Sequence, residues 1–574
     1  MSTVSGKRPI TAAVFEQLTG PGGPFEMHAV QFSGVPCRWY ANRPMVLSAL
    51  YQEREDYAQR VLAVDGLRRV TYRDAFLQAA ALADHLRHRS LGRAARVAIV
   101  MRNRIEWLIS FIAITAIGGV AVAVNSRGAG EEIRRAIADA ECVFVLADRP
   151  CAERLSPAEL PITLPLIVAF DEGEQPTPNA LAFNSVIAGW QEHPGLVCAH
   201  IDPEDLALLM FTAGTTGTSK AAMLTHRSVM AGVASSAFSS AASIAVLAQR
   251  AGPQIAEMAA KMQTALLLAS PLFHVSGCHT IFLRSLSNGG KLILMRKWNP
   301  ESALELIAAE QVQQVGLVPT MLWDMLRAPN FRLDKIRSVM VIGGGGAPFP
   351  ANLRREASRL LPHAVFGVGY GLTETNGPIA TAAGEDFMAK PDASGLVQPA
   401  YDVRLLREDG TDACVGEEGE ILIRGASVMS GYLNRPKETA EALRDGWLHT
   451  GDIGRFDTDG ALSIVDRKKH MVISGGENIY CAEVERAFSE LPHIREVLAF
   501  GLPDERLGEK LAVVLVGQPG VTLDEQELRE RIAPHLGHYK QPKAYFFRDE
   551  ILPRTPTGKV DRRGIVKDLS TRAG

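Results

Sequence analysis

The sequence predicts an α/β protein in two parts. A large N-terminal domain of parallel βα sheets carries a small β-rich subdomain, and a small α+β C-terminal domain follows. Three observations support this. Helical patterns alternate with short apolar runs up to about Gly343. From Asp402 that alternation gives way to short strands of alternating polarity. Finally, 574 residues are too many for one hydrophobic core.

In chain order, Tyr72–His88 and Ala129–Asp139 read as helices, and Val97–Met101, Val143–Ala147 and Leu166–Phe170 as buried strands. Such alternation builds βαβ units and parallel sheets. Trp107 to Val124 runs 18 residues without a charge, near the lower limit for a membrane span. Gly118-Gly119 interrupts it and Val120–Val124 is β-like, so a buried helix, a tight turn and a buried parallel strand are expected instead. Leu206–Met210 is a further strand. Ala231–Met262, rich in Ala and Ser and interrupted by Gly252-Pro253, predicts two helices. Strands follow at Ala265–Ala269, Lys291–Met295, Gln314–Val318 and Ser338–Gly343. Val403–Arg407, Glu420–Arg424 and Leu462–Val465 make up the β-rich subdomain. The charged cluster Asp466-Arg467-Lys468-Lys469-His470 divides the chain into residues 1–466 and 467–574. Beyond it come helix Ala482–Leu491, strands Glu496–Leu502 and Lys510–Gly517, and helix Asp524–His535.

Composition narrows the function. Hydrophobic residues at 47% and charged residues at 22% are ordinary for a soluble globular protein. A net charge of −3 gives no general attraction to nucleic acid. The segment from His535 to Gly574 is locally basic, with nine Lys/Arg against four Asp/Glu, which suits phosphorylated ligands and a solvated surface equally. Seven scattered cysteines without a CxxC pair signal neither a disulfide framework nor a zinc site. Met1 to Thr11 lacks the apolar core of a signal peptide, so the reducing cytoplasm is the expected location.

The segment Phe211-Thr212-Ala213-Gly214-Thr215-Thr216-Gly217-Thr218-Ser219-Lys220 is the most informative in the chain. Two glycines and five hydroxyl residues in ten positions end on a lysine, directly after a strand. Glycines allow close backbone approach to an anion. Amides, hydroxyls and an ammonium together suit a polyphosphate. No glycine directly precedes Lys220 and Ala221 follows it, so the spacing is not that of a P-loop kinase or ATPase. The run Gly343-Gly344-Gly345-Gly346-Ala347-Pro348 imitates a dinucleotide fingerprint, but its third glycine would fall on Pro348 or Phe349, which disfavours an NAD enzyme.

The loop resembles the phosphate-binding loop of the adenylate-forming superfamily, in its acyl-CoA synthetase branch, with Ala213, Ser219 and Ala221 departing from the usual pattern. Further segments resemble that family in order. The resemblance implies that Thr212, Gly214, Thr215, Thr216, Gly217, Thr218 and Lys220 cradle the phosphates of ATP, with Thr216 also near Mg²⁺. In Gly369-Tyr370-Gly371-Leu372-Thr373-Glu374 it makes Tyr370 the adenine stack, Thr373 an α-phosphate contact and Glu374 a Mg²⁺ ligand. Gly344, Gly345, Ala347 and Pro348 become the wall shared by adenine and the acyl group. Asp452, in Thr450-Gly451-Asp452, accepts from the ribose hydroxyls, and Arg467 is a second nucleotide contact. His274, in Pro271-Leu272-Phe273-His274-Val275-Ser276-Gly277, is a movable wall of the carboxylate pocket. Lys559, in Pro553-Arg554-Thr555-Pro556-Thr557-Gly558-Lys559, is the adenylating lysine, bridging carboxylate and α-phosphate. Lys469 occupies the hinge position of a mobile C-terminal domain, and Gly475 and Gly476 line a tunnel for the pantetheine arm of coenzyme A.

The implied reaction is ATP- and Mg²⁺-dependent. A carboxylic acid becomes an acyl adenylate with loss of pyrophosphate, and coenzyme A then takes the acyl group. The alternative is an adenylation enzyme that loads a carrier protein. Peptide-synthesis modules of that kind place an Asp to pair a substrate ammonium, yet no Asp occurs from Ala221 through Trp323. A luciferase-like monooxygenase shares the motifs. Val368, Val275, Cys278, Val318 and Met321 favour an apolar acid: fatty, aromatic or alicyclic. A homodimer is compatible with the sequence.

Overall fold

The computed structural model describes residues 10–52, 57–155, 164–171, 173–174, 180–212, 219–252, 254, 262–345, 351–390, 392–467, 470–474, 477–504, 506–537, 540–555 and 559–573. Among these residues one sheet has eight strands. Its parallel core pairs Leu206–Thr212, Val120–Ala123, Arg96–Val100, Phe144–Asp148 and Leu166–Ala169. These strands are almost wholly apolar, as a sheet covered on both faces requires. The uncharged stretch resolves into the buried helix Ile105–Ala116, a turn at Gly118 and the strand Val120–Ala123. Gly118 sits at φ 77°, a left-handed conformation that glycine adopts without steric cost.

The second sheet has fourteen strands. Val61–Asp65, Lys291–Leu294, Ala265–Leu268, Gln314–Leu317, Val341–Gly345 and Val365–Leu372 run parallel. From Gly377–Ala383 onward the pairing is antiparallel, through Ala393–Val397, Ala461–Arg467, Trp447–Phe456 and Glu418–Gly425 to Tyr401–Leu406. The expected β-rich subdomain is therefore hydrogen-bonded in series with the parallel sheet, joined where Leu396 pairs with Ala461.

The first of the two helices expected over Ala231–Met262 ends at the Gly252-Pro253 interruption, and the second falls mostly outside the described residues. That first helix, His226–Ala251, spans 26 residues and ends at Gly252, φ 99°. Pro253 and residues 255–261 lie outside the described residues. Thr225 caps this helix by accepting from the Ser228 amide. His226–Gln249 has the length and apolarity to cross a membrane, with 61% of its most apolar window buried inside the protein. Phe238 packs among the rings of Phe15, Phe25 and Tyr40, which is the environment of a core helix.

Near the C-terminus, Ile494–Asp504 and Gly508–Gly517 form a long antiparallel pair, joined in parallel by Ala544–Arg548. Helix Cys481–Ser489 packs with Val513 and Leu515 on one face. Leu498, Phe500 and Val514 pack with Leu552 and Ile565 on the other. Polar links among the described residues run toward the large sheets. The Ala482 amide donates to Asp466 Oδ2 at 2.9 Å, and Arg486–Asp392 and Arg355–Glu490 pair at 3.2 and 3.7 Å. Exposed pairs of this kind contribute little.

Candidate active site

The two large sheets meet where Glu374 follows the C-terminal end of Val365–Leu372. Thr373–Thr375 forms a single 3₁₀ turn, and the Met429 amide donates to the Glu374 carbonyl at 2.9 Å. The Glu374 side chain reaches across to the other sheet, where Tyr432 donates its hydroxyl to Oε1 at 2.7 Å. Lys220 Nζ stands over the same ring, 5.1 Å from the Tyr432 centroid. Lys220 is paired with Thr212 across the hairpin, and Ser219 Oγ donates to the Thr212 carbonyl at 2.7 Å. An ammonium and a carboxylate therefore flank one phenol at the mouth of the predicted phosphate loop. Gly214, Thr215, Thr216, Gly217 and Thr218 lie outside the described residues.

Tyr370 donates its hydroxyl to Asp452 Oδ2 at 2.6 Å, and Arg467 Nε lies 2.8 Å from Oδ1. Asp452 and Arg467 are register partners on adjacent antiparallel strands, which points both side chains the same way. Burial and the Asp452 charge hold the Tyr370 phenol well above its usual pKa, so it stays a donor.

Lys559 joins this group from the C-terminal domain. Desolvation lowers its pKa, Arg467 adds to the lowering, and Asp452 opposes it. The same ammonium acts on His274, whose pKa burial lowers to about 4, with Lys559 and Arg127 contributing. His274 is therefore neutral near pH 7, as a pocket wall would be. It caps the helical segment Val275–Asn288. Asn103 holds the loop before it, donating to the carbonyls of Leu268, Ser270 and Met295 and accepting from the Leu272 amide.

Gly345 faces open space: a Cβ there would meet only the Gly369 carbonyl, at 3.7 Å. Strand alternation puts Gly345 with Gly343 on one face and Gly344 with Ile342 on the other. The same alternation separates the apolar residues grouped from sequence. Val368 aligns with Gly344 and packs, with Val318 and Met321, against one core cluster, whereas Val275 and Cys278 belong to another. Gly371 serves packing, since a Cβ there would lie 2.0 Å from the Gly377 carbonyl. Gly369 adjoins Pro378 more loosely, at 3.2 Å. Ala347, Pro348, Lys469, Gly475 and Gly476 lie outside the described residues.

Sequence reasoning missed Tyr432, Asn103 and Arg127. Each acts through a residue remote in sequence, so no local pattern announces it. It did bring together Lys220, Glu374, Tyr370, Asp452, Arg467, His274 and Lys559, although Thr373 makes no side-chain hydrogen bond among those described.

The family model described as AMP-binding enzyme matches residues 50–433, and the one described as AMP-binding enzyme C-terminal domain matches residues 483–559. A feruloyl-CoA synthase from an Amycolatopsis species is 33% identical over 492 residues, covering 86% of this chain and 92% of that protein. The long-chain-fatty-acid–CoA ligase FadD13 of Mycobacterium tuberculosis is 32% identical over 496 residues, covering 86% and 92%. The structure of o-succinylbenzoate CoA synthetase from Bacillus subtilis, in complex with its acyl-adenylate intermediate, superimposes with a TM-score of 0.75 at 26% identity, covering 90% of this chain and 97% of that one.

Proposed function

The chain belongs to the AMP-binding enzyme family, and on that premise we propose that it is an AMP-forming acid–thiol ligase acting on an apolar carboxylic acid. A carboxylate is a poor acylating agent because its leaving group would be oxide. Attack of a carboxylate oxygen on the α-phosphorus of ATP expels pyrophosphate and leaves a mixed anhydride. The thiol of coenzyme A then attacks the carbonyl carbon, and AMP departs. Relatives named as CoA ligases for aromatic, fatty and ring-bearing acids support both steps.

The observation that carries this reading is the position of Lys559. It comes from the C-terminal domain yet lies close enough to Asp452, Arg467 and His274 for their charges to act on one another. Its compact ammonium would sit between the acid's carboxylate and the α-phosphate, where negative charge builds up in the transition state. Asp452 would accept from the ribose and Tyr370 would lie against adenine. Lys220, with residues 212–218, would take the outer phosphates. His274, neutral and enclosed, would shape the carboxylate pocket without moving a proton.

Glu374 would hold Mg²⁺. A single carboxylate fits a magnesium ion that keeps phosphate and water among its ligands. No group of three or more His, Cys, Asp or Glu side chains able to hold a metal occurs among the described residues. The ion would offset the charge of the polyphosphate. For the second half-reaction the C-terminal domain would turn about residues 466–470, withdrawing Lys559 and presenting Gly475 and Gly476 to the pantetheine arm. A reducing cytoplasm is the proposed location.

The test is to incubate the protein with ATP, Mg²⁺ and a panel of acids, with and without coenzyme A. AMP, pyrophosphate and acyl-CoA are the expected products. ADP and phosphate in their place would overturn the adenylation mechanism, and acyl adenylate that never passes to coenzyme A would point to a carrier protein as acceptor.

A further inference from the structure

Behind His274 the helical segment Val275–Asn288 runs along one face of the parallel sheet. Ile281 Cδ1 stands 3.5 Å from where a Cβ on Gly316 would be. One helical turn further, Arg284 Nη2 donates to Gln314 Oε1 at 2.9 Å. Gln314 and Gly316 lie two apart on one strand and so share a face. Ile281 and Arg284, three apart, share a face of the helix. The helix therefore descends antiparallel to the strand, from His274 at the mouth toward Arg284 at the floor. Gly316, Gly343 and Gly367 are register partners across three strands and present no side chains to this face.

Arg284 is ten positions beyond His274, about 15 Å at the rise of a helix. The bond to Gln314 is the one hydrogen bond of its guanidinium among the described residues, and Nε is buried with no acceptor. No described carboxylate lies within ion-pairing distance, and from Ala221 to Trp323 the sequence has no Asp. The residue as a whole is half-buried, and desolvation pushes its pKa down to about 10. On the same sheet face a Cβ on Gly343 would meet only the Val315 carbonyl among the described residues, at 3.8 Å. A buried charge without a partner is strongly destabilising, and the buried Arg104 and Arg227 are each paired with a carboxylate.

We propose that Arg284 determines specificity at the far end of the acyl pocket, and that the acid this enzyme activates carries a second carboxylate, separated from the reacting one by an apolar body, which pairs with that guanidinium. This rests on the acid-ligase reading and deepens it. The apolar body would lie along Ile281 and the glycine-stripped sheet face. Gln314, already bound to Nη2, would orient the guanidinium so that its remaining donors face the incoming oxygens.

The test compares straight-chain dicarboxylic acids (glutaric, adipic, suberic, sebacic) with the monocarboxylic acids of the same length, in ATP–pyrophosphate exchange, for the wild type, Arg284→Met and Arg284→Lys. At the best-fitting length the wild type should favour the dicarboxylate by about tenfold or more in kcat/KM, as expected for a hydrogen bond to a charged group. Arg284→Met should reverse that preference while retaining exchange with the monocarboxylate, and Arg284→Lys should keep part of it. Should Arg284→Met not fold, the wild-type comparison decides alone. Preference for the monocarboxylate at every length, or an equal loss on both acids in Arg284→Met, would overturn the proposal and leave the ligase reading intact. Absence of exchange with every acid would overturn the ligase reading itself.

Discussion

Replacing Lys559 with Met removes one charge and little volume, which isolates the electrostatic part of its role. The surroundings set the expected size. Lys559 is desolvated, Arg467 repels it and Asp452 attracts it, so its charge acts where water screens poorly. A donor aimed at developing negative charge in such a site is worth about 2.7–4 kcal/mol, or roughly 10²–10³ in rate. Acid-dependent ATP–pyrophosphate exchange should fall by that factor. Thioester formation from chemically prepared acyl adenylate and coenzyme A should stay within about twofold, since that step is assigned to the other domain orientation. The lowered pKa adds a second readout. The protonated form is the active one, so exchange should decline as pH rises through a value below the ordinary lysine range, and this alkaline limb should be missing from the residual activity of Lys559→Met. Equal losses in the two half-reactions would refute the separation of roles.

Other consequences are open to test. Burial is the main cause that lowers His226, His274 and His279 to about 4. The unfolded chain therefore binds more protons between roughly pH 4 and 6.5, so stability is full above that window and falls on acidification, on the order of 1–3 kcal/mol per histidine. Urea midpoints measured from pH 7 to 5 check this, and a flat profile would contradict it. Gly345→Val fills the open space beside Gly369 and should penalise bulky acids over short ones by about 1–3 kcal/mol, roughly tenfold or more in relative kcat/KM; a loss uniform across acids would assign Gly345 to the nucleotide instead. Tyr432→Phe removes the 2.7 Å donor to Glu374 and should raise the KM for magnesium-bound ATP about tenfold, with the KM for the acid unchanged.

What could be read from the sequence was what local chemistry determines. Helix Tyr72–His88 was expected at its observed ends; in the structure Thr71 and Asp74 form a capping box at its start, and its buried positions recur at helical spacing. The buried strands were legible because parallel pairing leaves no wet face, so their apolar runs are continuous. The break within Ala231–Met262 was legible because it falls on a glycine, and Gly252 ends the helix at φ 99°. The Ala- and Ser-rich span does not reveal which rings hold its first helix, where Phe15, Phe25 and Tyr40 pack on Phe238. Register escaped in the same way: no run of glycines states which of Gly344 and Gly345 faces the pocket, because that depends on pairing with Gly367 and its neighbours.

The site shows the same division more sharply. Lys220, Glu374 and Asp452 each stand in a short segment whose chemistry identifies it. Tyr432 joins two of them and stands in none, because its meaning lies in an oxygen 58 positions earlier in the chain. Asn103 positions the His274 loop through carbonyls 165 to 192 positions away. Such residues follow from a general requirement. A site that must hold a polyphosphate and then release AMP keeps its charges partly desolvated, and the protein must supply the partners water would otherwise provide. In this chain Tyr432 partners Glu374, and Tyr370 and Arg467 partner Asp452. On the proposed reading, a nucleotide entering the cleft would exchange contacts with groups already hydrogen-bonded. Its affinity is set by the difference between old and new partners, which is why removing a hydroxyl such as that of Tyr432 should be felt in ATP binding although no sequence motif contains it.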